Sequence, residues 1–111
     1  MTPEQRTARI KRLVGAAKAL LTLQVGLFVG ARRIENVLLS LEPEFDKKHR
    51  IFSEFTNSVP RDIPLGSARL MWDFEAMLRT DLKLAPVEER FRSKLLAECV
   101  VIIRLYDNVA G

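Results

Sequence analysis

A chain of 111 residues with 48% hydrophobic and 29% charged side chains has room for one ordinary domain but not two, and its balance excludes a disordered tail. One cysteine and one histidine exclude a disulfide framework and a His- or Cys-rich zinc site. The net charge of +4 is uneven: through Arg33 there are seven basic residues against the single acid Glu4, while the remainder carries eleven basic and thirteen acidic residues.

Thr2-Pro3-Glu4-Gln5 predicts a helix start, with Thr2 as cap, Pro3 in the first helical position and Gln5 completing a capping box. Ile10, Leu13, Val14, Ala17, Leu20 and Leu21 then recur at helical spacing, leaving Arg9, Lys11, Arg12 and Lys18 on the outer half of the cylinder. Propensity drops at Thr22 to Gly26, which predicts a break. A second helix to about Leu41 aligns Leu27, Ala31, Ile34, Leu38 and Leu41, with Gly30 as a close-packing point. After Pro43, a shorter helix from about Glu44 to Phe55 turns Phe45, Phe52 and Phe55 inward. It leaves the charged run Asp46-Lys47-Lys48-His49-Arg50 on a wet face.

Thr56 to Gly66 reads as the one clear loop, and a loop of that length in a compact domain is often functional. Ser67 caps a following helix that carries Leu70, Met71, Phe74, Met77 and Leu78, and Asp73 offers an alternative cap that would divide it. Ala85-Pro86-Val87-Glu88-Glu89 marks a new start for the last helix, which runs to about Asp107. Its Cys99-Val100-Val101-Ile102-Ile103 run is β-branched, yet Phe91, Leu95, Cys99, Ile102 and Tyr106 keep helical spacing, so helix is preferred to strand. These elements predict an all-α fold: one domain over residues 1–111, a bundle of four to five helices.

The last helix is the most apolar. Phe91, Leu95, Cys99, Ile102, Leu105 and Tyr106 form one face, Leu96, Val100 and Ile103 an adjacent one, and a narrow polar strip remains. Such a helix is either central in the bundle or meets another chain through Leu96, Val100 and Ile103, a homodimer being one form of that contact.

Catalytic constellations are missing. Cys99 and His49 are formally a nucleophile pair, but Cys99 sits mid-stripe, where a thiol behaves as a small apolar side chain. No carboxylate spacing singles out an acid/base pair, and Gly26 and Gly30 match no phosphate loop. The reading is therefore non-enzymatic, without cofactor or metal. The longest charge-free apolar run, Ala19 to Ala31, has 13 residues, short of the roughly 20 that cross a membrane. A secretory signal fits poorly, because the basic start is long and Thr22, Gln24 and Gly26 dilute the run. A cytoplasmic protein is expected.

Arg9, Arg12, Lys18, Arg32 and Arg33 are the candidate contacts to a nucleic acid or other anion, although the first helix holds no aromatic residue for base stacking. Arg69 and Trp72 lie one turn apart after Arg61, Asp62 and Leu65, and Trp and Arg are common interface anchors. Those five residues are the candidate surface for a protein partner.

Gly30-Ala31-Arg32-Arg33, together with Pro64-Leu65-Gly66-Ser67-Ala68-Arg69 followed by Trp72, resembles a group of small helical bacterial proteins of unknown function. The resemblance spans roughly residues 15 to 105 and implies a compact helical domain of bacterial origin, without catalytic residues. The expected function is a protein-binding module, an immunity- or antitoxin-like inhibitor of a cognate toxin or effector. A nucleic-acid-associated regulator is the alternative.

Overall fold

The computed structural model describes the backbone of residues 1–59 and 74–110 and the side chains of residues 1–59 and 82–108. Its elements are α1 (Pro3–Leu21), α2 (Leu27–Leu39), α3 (Pro43–Lys48), α4 (Ile51–Ser58) and α5 (Phe74–Ala110), with no strand among the described residues. Among the described residues the five helices form the all-α bundle that the sequence predicts.

α1 starts on the expected capping box: the Gln5 amide donates to Thr2 Oγ1 at 3.1 Å, and the Thr2 amide to Gln5 Oε1 at 3.0 Å. It stops in a Schellman arrangement, where the Gln24 amide reaches the Ala19 carbonyl and the Leu23 amide the Leu20 carbonyl, both at 3.0 Å. That closure needs a left-handed residue, and Leu23 supplies it at φ 60° with its side chain exposed. The chain then turns back into α2, where Gly30 is required by contact. A Cβ there would stand 2.7 Å from Leu20 Cδ1 and 2.8 Å from Val25 Cγ2.

The core joins four helices. Ile10, Leu13, Val14, Ala17 and Leu20 of α1 meet Ala31, Ile34 and Leu38 of α2, Phe52 and Phe55 of α4, and Leu84, Leu95, Cys99 and Ile102 of α5. Phe55 sits between the Phe28 ring at 6.1 Å and the Phe91 ring at 5.4 Å, tying α4 to α2 and α5.

Several expectations fail for identifiable reasons. Pro86 does not begin a helix but lies inside α5. The carbonyl it leaves without a donor is that of Leu82, four residues back; both residues are exposed, so water can serve that oxygen. Leu84 is buried and Val87 packs on the core, which holds the helix on both sides of the proline. The helix expected to end before Ala85 is accordingly continuous with the last one from Phe74 onward. The single helix expected over 44–55 is broken at His49 and Arg50, and Thr56 to Ser58, expected in a loop, form the last turn of α4. Leu21 and Leu105, placed on apolar stripes, are 37% and 42% exposed: Leu21 is the last residue of α1, and Leu105 falls at the edge of the buried arc of α5. α2 ends at Leu39, although Leu41 is still buried.

Candidate functional site

The partner surface expected at Arg61, Asp62, Leu65, Arg69 and Trp72 lies outside the described residues. The basic residues of α1 and α2 are described, and the fold separates them. Arg9 donates to the Ser40 carbonyl and reaches the Met1 sulfur, so it ties α1 to the end of α2. Lys18 pairs with Asp107 of α5 at 3.4 Å, and Arg32 with Glu35 at 3.9 Å. Arg12 and Arg33 have no hydrogen-bond or ion-pair partner among the described residues, and both are exposed. Of the five candidate anion contacts, Arg12 and Arg33 are the two without a partner among the described residues.

Arg12 and Arg33 stand on opposite rims of one groove. Among the described residues it is lined by Arg12, Gly15, Ala16 and Ala19 of α1 and by Arg33, Asn36 and Val37 of α2, with a volume of about 430 Å³. The lining is mainly apolar because Gly15, Ala16 and Ala19 fall on one flank of α1 and are too small to fill the space beside Val37. Gly15 differs from Gly30 in one decisive respect: a Cβ built on it would meet nothing within 4 Å. Helix-interior glycine costs about 1 kcal/mol relative to alanine, and no described residue packs where a side chain at position 15 would stand. Sequence reasoning passed over this site because three small residues on a helix flank carry no polar signal. The available hint was an interior glycine in an otherwise strong helix.

A second polar cluster is buried. His49 was expected on a wet face, yet it is 1% exposed and sits at the break between α3 and α4. Its Nδ1 lies 3.1 Å from Glu98 Oε2 and its Nε2 2.9 Å from the Tyr106 hydroxyl. A carboxylate only accepts, so the tautomer that satisfies both contacts has Nδ1–H donating to Glu98 and Nε2 accepting from the phenol. Tyr106 also packs edge-on against the imidazole, with ring centroids 5.6 Å apart. Both ring nitrogens are occupied, which leaves no lone pair for a metal or a substrate. Outward, the Tyr106 ring helps line a shallow pocket of about 200 Å³ with Glu44, Phe45 and Lys48. Burial, then the Glu98 charge, pushes the Tyr106 phenol above its ordinary range, so a phenolate nucleophile is disfavoured there. The cluster's chemistry is that of a clamp holding the α3–α4 junction to α5.

Cys99 is fully buried, and burial, with the neighbouring Glu98 charge, pushes its thiol up to about 12. It does not face His49's nitrogens, both of which are engaged elsewhere. Of the adjacent α5 face, Leu96 and Ile103 pack against the core and Val100 is half-buried; elsewhere on α5, Leu82, Val101 and Leu105 are exposed. The described residues hold no group of three or more His, Cys, Asp or Glu side chains arranged for a metal ion. Among them, no helix is long and apolar enough to cross a membrane.

No protein-family model matches the chain, and no curated protein or solved structure matches it either.

Proposed function

We propose that this protein is a non-enzymatic protein-binding module of the cytoplasm, acting as an immunity- or antitoxin-like inhibitor that neutralises a cognate toxin or effector. The observation that carries the reading is the α1/α2 groove: an open apolar floor flanked by two guanidiniums that no described residue neutralises. An apolar centre rimmed by arginine is the surface chemistry of protein interfaces. A nucleic acid would use the two cations but gain nothing from the apolar floor. The Arg61, Asp62, Leu65, Arg69 and Trp72 segment remains the second contact surface in this proposal.

The test is affinity purification from the native host, with and without nuclease. The wild-type chain is compared with an Arg12→Glu/Arg33→Glu variant and with Arg69→Glu. The reading expects one stoichiometric protein partner, insensitive to nuclease and lost by the double charge reversal. Recovery that nuclease abolishes would replace it with the nucleic-acid-associated regulator. A partner lost only with Arg69→Glu would move the interface to the second surface.

A further inference from the structure

We propose that the groove over Gly15 receives an acidic α-helix of the partner, with two carboxylates one turn apart meeting Arg12 and Arg33. This rests on the protein-binding reading above and names the chemistry of the segment that docks.

The spacing of the two cations follows from the α1–α2 hairpin. Leu20 lies against Gly30, and Arg9 bonds to the Ser40 carbonyl, so the helices run antiparallel with residues of those pairings level with each other. In that register Arg33 is level with Ala16 and Ala17. It therefore lies four to five residues beyond Arg12, roughly 7 Å along the axis at a 1.5 Å rise per residue. Acidic side chains at i and i+4 of a docked helix match this axial offset, and the long guanidinium arms span the distance across the groove from either wall.

Other occupants fit less well. An extended segment would bring unpaired backbone amides and carbonyls into the groove, where Asn36 is the only uncharged polar side chain among the described lining residues. A helix satisfies its own backbone. A second copy docking through the same groove would set Arg12 and Arg33 against their own counterparts, which is repulsive. Gly15 completes the argument: with open space where its Cβ would be, it lets a neighbouring backbone approach more closely than any other residue would allow.

The experiment uses the full chain and three synthetic 18-residue helical peptides built on alanine and leucine, with binding read by fluorescence anisotropy. One carries Glu at i and i+4 flanking an alanine, one has Gln at both positions, and one carries Glu at i and i+2. The Glu i/i+4 peptide should bind at least tenfold tighter than either control, and Arg12→Gln/Arg33→Gln should erase that preference. Gly15→Ala should raise the melting temperature of the free protein by about 4 °C, from its helix-propensity gain. The same variant should bind the peptide at least tenfold more weakly. Equal binding of the Glu and Gln peptides, or undiminished binding by Gly15→Ala, overturns the acidic-helix assignment. If the native partner is still lost with Arg12→Glu/Arg33→Glu, the protein-binding reading survives that result. If neither partner nor peptide depends on the two arginines, the groove has no role in either reading, and a partner lost with Arg69→Glu places the interface on the second surface.

Discussion

His49→Leu tests whether the buried clamp contributes to stability. The substitution removes a hydrogen bond of 3.1 Å to a carboxylate and one of 2.9 Å from a phenol, while leaving an apolar side chain of similar size. A neutral hydrogen bond contributes about 1 kcal/mol net and one to a charged group about 1.5–3 kcal/mol. Glu98 is 24% exposed and Tyr106 half-buried, so water recovers part of both losses, and the leucine regains some apolar burial. The expected cost is about 2 kcal/mol, a fall in melting temperature of about 8 °C for a domain of this size. Tyr106→Phe removes the phenol bond alone and should cost about 1 kcal/mol. In that background His49→Leu should become cheaper by about the same amount, because the two changes share one interaction. Chemical denaturation of the four proteins measures the cycle. A His49→Leu protein as stable as the wild type, or a cycle with no coupling, would refute the clamp and leave the junction to Phe52 and Phe55.

Leu23→Gly relieves a left-handed leucine that buries little, and should stabilise the protein by about 1 kcal/mol in the same denaturation assay. Pro86→Ala restores the donor to the Leu82 carbonyl and should also stabilise, by about 2 kcal/mol once the lost rigidity of the unfolded chain is discounted. A thiol pushed up to about 12 is a thiolate in roughly one molecule in ten thousand at pH 8. Iodoacetamide should therefore leave Cys99 untouched in the native protein and label it promptly in denaturant. The neutral thiol is the form the core favours, so its contribution to stability is intact below pH 9 and declines from there to about pH 12. A pH titration of thermal unfolding should show that decline, and Cys99→Ala should flatten it.

Much of this fold could be read from side-chain spacing. The Thr2 capping box, the α1 stripe from Ile10 to Leu20, the turn before α2 and the burial of Cys99 are all local or periodic signals, and all are present. The misreadings arise where tertiary packing overrides a local rule. Pro86 carries a strong start signal, but the core contacts of Leu84 and Val87 keep the helix running through it. His49 shares a helical face with Phe45, which points to the core, yet Lys47, Lys48 and Arg50 around it made the whole run read as solvated. The groove depends on a relation between two helices. Arg12 and Arg33 were visible as basic residues, but nothing in sequence distinguished them from Arg9, Lys18 and Arg32, whose partners lie up to 89 residues away. Gly15 was the one local trace of the space beside it.

The central claim is that a protein partner occupies the α1/α2 groove, and an amide chemical-shift map tests it most directly. The isotopically labelled full chain is titrated with the partner recovered from the native host. The account predicts that the largest shifts fall on Arg12, Gly15, Ala16 and Ala19 of α1 and on Arg33, Asn36 and Val37 of α2, with α5 amides near Val101 and Leu105 unmoved. Shifts concentrated on that outer face of α5, with the groove amides unchanged, would contradict it.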